Sequence, residues 1–164
     1  MTESETIPTT AKQSEQAVAI VNNYIKATMA IGLVPLPVVD AVAISAAQLK
    51  MLHHLAAIYQ LEFSDSRGKS LLASLLGGIV PLSLKATLFS LSKGIPLVGQ
   101  TVGVLGMSVL SAASTYAVGQ VFIQHFDSGG TLLDFEPDKM RQYYQQQLQR
   151  GKAVVRESFV GVKP

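Results

Sequence analysis

Four groups of residues in this chain have types and spacings that could carry chemistry. Gly68-Lys69-Ser70 matches the end of a phosphate-binding loop, where backbone N–H groups cradle phosphates and a lysine neutralises them. That loop needs a glycine where Phe63 stands and a buried β-strand before it, and the sequence has neither. His53 and His54 are adjacent and His125 is distant. Adjacent helix side chains diverge, whereas a metal needs i, i+4 spacing or a carboxylate on the same face. The pair reads as surface histidines, and no metal or cofactor is assigned. Ser-x-x-Lys occurs at Ser66 with Lys69 and at Ser90 with Lys93, without the Ser-Asp-Asn or Lys-Thr-Gly companions of an acyl-transfer site. Asp40 is the one carboxylate in an apolar stretch. It is the candidate buried charge, which would need a partner or a shifted pKa; at a helix start it can instead cap backbone donors. No paired carboxylates and no Gly-x-Ser-x-Gly elbow accompany it. The expectation is a protein that is not an enzyme.

The elements that position these residues are oily. The chain has 164 residues, enough for one domain with a real core but not for two large ones. Its charged fraction is 15% and its mean hydropathy +0.33, which excludes a disordered tail and a nucleic-acid-binding arm. With no cysteine there is no disulfide framework or thiolate site. Of its 24 charged residues only eight fall between 27 and 126, and the 31 residues from 94 to 124 contain neither charge nor histidine. As a helix that run would reach roughly 45 Å at ~1.5 Å per residue, more than a ~30 Å hydrocarbon layer requires.

Residues 1–14 are polar and read as a mobile tail without a cleavable signal, 15–157 as a single helical domain, and 158–164 as a flexible C-terminus. The first helix is expected from Ser14, its N-cap, to Ile31, with Val18, Val21, Ile25 and Met29 as an apolar ridge that Lys26 and Thr28 keep narrow. Pro35 and Pro37 break it, and a second helix runs from Pro37 to Leu61. After a polar loop at 62–69, a third covers 69–92, interrupted at Gly77, Gly78 and Pro81. A second proline turn at Pro96 and Leu97 leads to a fourth helix, 99–124. A glycine-containing loop at 127–136 precedes a fifth from Pro137 to Glu157, with Met140, Tyr144, Leu148 and Val155 on one side. That face docks on its own bundle, or on a partner or an anionic membrane surface. The fold class is all-α, about five helices in apolar hairpins.

The turns LVPLPVVDAV (33–42) and GIPLVGQTVG (94–103) resemble each other, as a duplicated hairpin would. Turns between helices are normally polar because their backbone groups need water. These two are apolar, so Pro35, Leu36, Pro37, Pro96 and Leu97 are expected to contact lipid or a partner. Gly99, Gly103 and Gly106 allow close helix packing, in a membrane or in a soluble core. If helices three and four form a membrane hairpin, Arg67 and Lys69 on one flank and Lys139, Arg141, Arg150, Lys152 and Arg156 on the other place both flanks in the cytoplasm. Lys85 and Lys93 oppose a simple spanning hairpin and leave re-entrant or peripheral insertion open.

AIGLVPLPVVDAVAISAAQLKMLHHLAAIY, the GIPLVGQTVG turn and TYAVGQVFIQHFDSGGTLLDF together resemble the YcjF-like helical domain of unknown function, over nearly all of residues 15–150. The resemblance implies an all-helical, membrane-associated domain of bacterial proteins that often accompanies a GTPase domain. This chain has none attached, so the implied GTPase is a separate partner, and the family supplies no catalytic residues. The reading is therefore a non-enzymatic, membrane-associated interaction module at the bacterial inner membrane with cytoplasmic termini. Its lipid-facing parts are the apolar tips, and nucleic acid is not among its partners. The alternative is a soluble bundle that buries those tips in a homo-oligomer or a partner protein. A glycine-lined pore is a third class.

Overall fold

The computed structural model describes residues 9–34, 37–77 and 100–161, with side chains at all of these except 37–41, 100–105 and 159–160. Among the described residues there are five α-helices and no strand: α1 (Thr9–Ile31), α2 (Pro37–Ile58), α3 (Asp65–Gly77), α4 (Gln100–Asp127) and α5 (Pro137–Val155). A π-helical turn, Arg156–Val160, follows α5 and ends at Gly161 with a φ of 69°.

The helix ends differ from expectation for local reasons. α1 begins at Thr9, so Ser14 lies inside the helix; its hydroxyl donates to Asp127 Oδ1 at 2.6 Å and does not cap the N-terminus. α2 stops at Ile58, where Leu61 N–H reaches Ala56 O (2.8 Å) and Gln60 N–H reaches Ala57 O (3.1 Å), with Gln60 at φ 56°. That is a Schellman ending with glutamine in the left-handed position that glycine usually fills. α4 ends in the same way with the expected residue: Gly130 N–H bonds His125 O and Gly129 N–H bonds Phe126 O, both at 2.9 Å, with Gly129 at φ 83°. The Gly129-Gly130 pair is thus a helix stop. α3 starts at Asp65, whose carboxylate favours the positive end of the helix dipole, four residues earlier than expected.

α4 is the centre of the bundle. Ala112, Ala113, Ala117, Val118, Val121 and Phe122 on it are fully buried, with α1 and α5 packed antiparallel to it and α2 alongside. Small residues permit this cover. A Cβ on Gly119 would stand 2.5 Å and 2.6 Å from the Val21 methyls, and one on Gly151 would stand 2.9 Å from Ala113 O. The stripe of α1 is Ala17, Val21, Ile25 and Thr28; Val18 is exposed and Met29 half-buried. Thr28 belongs to the core because its hydroxyl donates back to Tyr24 O at 2.9 Å, which satisfies it within the helix.

α5 buries Tyr144 and Val155, as its pattern predicts, together with Gln147 and Gly151. Met140 and Leu148 are partly buried beside them. A polar ladder crosses the interior. Gln48 Nε2 on α2 donates to Ser114 Oγ (3.2 Å) and Thr115 Oγ1 (3.4 Å), and Ser114 Oγ meets Tyr144 OH at 2.9 Å. Burial pushes the Tyr144 phenol up, against the pull of its bond to Ser114.

Candidate functional site

The two ends of the bundle differ in chemistry. At one end, where α1 begins and α2 and α4 finish, polar groups tie the helices together. Tyr59 OH and Ser14 Oγ both donate to Asp127 Oδ1 at 2.6 Å, and Gln13 Nε2 donates to Ile58 O at 3.1 Å. Burial, with the bond to Asp127 next, pushes Tyr59 up to about 12. Below it, His125 Nε2 lies 2.8 Å from Thr131 O, which it reaches as a donor, and Asp134 Oδ1 accepts from both the N–H and the hydroxyl of Thr131 at 2.6 Å. Those two bonds hold the Asp134 carboxyl below its usual range.

The opposite end is apolar. The α1–α2 turn presses on α4, where a Cβ on Gly32 would stand 2.8 Å from Ser108 Cα, and Ser108 Oγ donates to Met29 O at 2.8 Å. Around this contact Leu33 (47%), Val34 (47%), Val42 (66%), Met107 (50%) and Leu110 (39%) are exposed, so among the described residues Leu33 and Val34 of the first apolar bend stand uncovered. Gly151 sits on Ala113, midway along α4, and Lys152 in the last turn of α5 and Arg156 in the π-helical turn follow that contact along the chain. Two more of the expected cations are engaged: Lys139 Nζ pairs with Glu136 and Arg141 Nη1 with Asp138, each at 2.7 Å, while Arg141 Nη2 also reaches Ser74 O on α3 at 3.3 Å.

Of the residues singled out from sequence, Pro35, Leu36, Pro96, Leu97 and Gly99 lie outside the described residues. Pro37 opens α2 and Asp40 falls in its first turn, as the proline and dipole arguments predict; their side chains lie outside the description. Gly103 lies within α4, its surroundings likewise outside. Gly106 meets no described atom within 4 Å of a built Cβ, and close approaches between elements fall at Gly32, Gly68, Gly119 and Gly151 instead. Gly32 and Gly151 carried no sequence signal: each is a lone glycine whose role depends on which backbone crosses it.

The histidines go to three separate places. His53 stacks on Phe63 with ring centroids 4.6 Å apart, His54 Nδ1 meets Tyr24 OH at 3.1 Å, and His125 serves the loop after α4. Among the described residues no three metal-ligating side chains converge. Gly68 is a packing glycine, a built Cβ meeting Leu49 Cδ1 at 2.8 Å, and Ser66 Oγ pairs with Ser64 Oγ at 3.1 Å. Gly106–Asp127 is long and apolar enough to cross a membrane, yet 67% of that span is buried by the protein itself. A core helix passes the same length test.

Comparison with known proteins agrees with this architecture. The model of a domain of unknown function, DUF697, matches residues 5–153. The chain is also 38% identical over 155 residues to Magnetosome membrane protein 22 of Magnetospirillum gryphiswaldense, an alignment covering 90% of this chain and 80% of that protein. No solved structure matches. Since one family model spans the bundle from before α1 almost to the end of α5, the chain belongs to the DUF697 family, the YcjF-associated domain that its turns and glycines resemble.

Proposed function

We propose that this protein is a non-enzymatic helical module that docks on a bacterial membrane through one end of its bundle and presents its polar end to a protein partner. The observation that carries this reading is the collection of exposed Leu33, Val34, Val42, Met107 and Leu110 at one end while the other is stapled by Ser14, Tyr59 and Asp127. Apolar side chains gathered at one end favour an apolar medium by about 25 cal/mol per Å² removed from water. Lys152 in the last turn of α5 and Arg156 just after it are cations that anionic headgroups attract, which favours the cytoplasmic leaflet. Membership of DUF697 and the membrane protein among its relatives support the same reading. The burial of most of Gly106–Asp127 favours end-on docking over a lone spanning helix for that part of α4. The resemblance implies a separate GTPase as a partner.

Flotation of the purified chain with anionic liposomes tests this. The chain is expected to float with the vesicles, and the double variant Leu33→Glu/Met107→Glu, altered at two exposed positions, is expected to stay at the bottom of the gradient. Failure of the parent chain to float would support the alternative, a soluble bundle whose apolar end is buried in an oligomer or partner.

A further inference from the structure

A groove of about 760 Å³ between α2 and α3 lies outside every contact considered so far. Its floor on α2 is Val42, Ala46 and Leu49, spaced so that they share one face of the helix. Lys50 and Lys69 stand beside this floor, one on each helix, both exposed. Since Gly68 packs on Leu49, the two lysines are level across the groove. Asp65, one turn from Lys69, is the acidic group lining it, and His53 beyond is stacked on Phe63. The groove is thus polarised along the bundle: cations at mid-height, and an aliphatic track from Leu49 to Val42, toward the apolar end.

We propose that this groove holds one anionic phospholipid, its phosphate between Lys50 and Lys69 and an acyl chain along Leu49, Ala46 and Val42. The volume suits a ligand of that size. Two ammonium groups complement one phosphate, and a floor of Val42, Ala46 and Leu49 fits an alkyl chain, while His53, the aromatic ring in the described lining, is already stacked on Phe63. The direction of the chain rests on the membrane-docking reading, since it leads the tail toward the end taken to meet lipid.

The test uses the full-length chain without a bilayer, with dihexanoyl phosphatidylglycerol below its micellar concentration and binding followed by native mass spectrometry and NMR titration. One molecule per chain is expected, with dihexanoyl phosphatidylcholine and glycerol 3-phosphate both weaker. Lys50→Gln/Lys69→Gln is expected to weaken binding about tenfold through loss of two charge-assisted contacts. Ala46→Phe, which fills the floor and leaves the cations, is expected to weaken it as well, with circular dichroism unchanged for both. Unchanged affinity in the lysine variant overturns the proposal. So does glycerol 3-phosphate binding as tightly as the lipid, which would mark a free-anion site. Cross-linking of the chain's own residues 78–99 into the groove in place of lipid overturns it too. Lipid binding combined with failure to float with liposomes would sink the docking reading alone, and flotation without single-lipid binding would sink this one alone.

Discussion

Gly119→Ala asks whether α4 really is held by α1 as a core helix. In the bundle the new methyl would stand 2.5 Å and 2.6 Å from the two Val21 methyls and 3.2 Å from Val21 Cβ. Val21 is buried and β-branched, so it cannot swing aside by changing rotamer, and the helices must separate. Overpacking of this kind costs about 1–3 kcal/mol. Replacing glycine inside a helix returns about 1 kcal/mol, so the net destabilisation is about 0–2 kcal/mol. Val21→Ala alone removes two buried methyls and costs roughly 2 kcal/mol with its cavity. Combined with Gly119→Ala, the added methyl occupies the space that Val21 vacates. The double variant should therefore be more stable than the sum of the singles by about 2 kcal/mol. Urea denaturation of the four proteins, monitored by circular dichroism, measures this coupling. Additivity within about 0.5 kcal/mol would mean that α4 does not pack on α1 at this point, and with it would go the reasoning that Gly106–Asp127 is covered by protein.

Three further predictions follow from the helix ends and the polar end. Gln60→Gly should stabilise the protein by about 1 kcal/mol, because its left-handed φ of 56° strains any residue with a Cβ, and Gly129→Ala should destabilise it by a similar amount for the same reason; paired melting curves check both signs. Tyr59→Phe should destabilise the protein below pH 10. The folded-state pKa is raised from 10.0 to about 12, so the phenol's contribution is complete below the unfolded value and fades as pH rises through the folded one, and the gap between parent and variant in a pH-dependent melt should close over that window. Asp134→Asn acts in the opposite sense: the carboxyl is held low by Thr131, its contribution is present above the ordinary aspartate range and is lost as pH falls through the folded pKa, so parent and variant should converge only in acid.

Much of the helix pattern was legible because proline and glycine punctuate it. Pro37 opens α2 and Pro137 opens α5, each at the position where a missing N–H costs nothing, and the apolar spacing of Tyr144 and Val155 located the face that α5 buries. The start of α1 was less legible: Ser14 has the chemistry of a cap, but its hydroxyl serves Asp127, a residue 113 positions away. The cations from Lys139 to Arg156 share one flank in the sequence, yet Arg141 pairs with Asp138 and spans to Ser74 on α3, a contact that depends on how α3 lies against α5. Gln48 carried no usable signal, because a glutamine among alanines looks solvated until Ser114 and Thr115 are placed beside it.

The amino-acid order by itself determined that this is an all-helical chain, oily at its centre, with an apolar first bend at Leu33 and Val34. Periodicity and backbone chemistry are local and survive in one dimension. Only the tertiary structure decided what covers the apolar run that becomes α4. A helix apolar on every side has no preferred face, so its sequence is the same whether lipid or protein surrounds it, and it took Val21 against Gly119 and Ala113 against Gly151 to make the cover protein. It was likewise the crossing of α2 and α3 at Leu49 and Gly68, not any motif, that brought Lys50 level with Lys69 above an aliphatic groove.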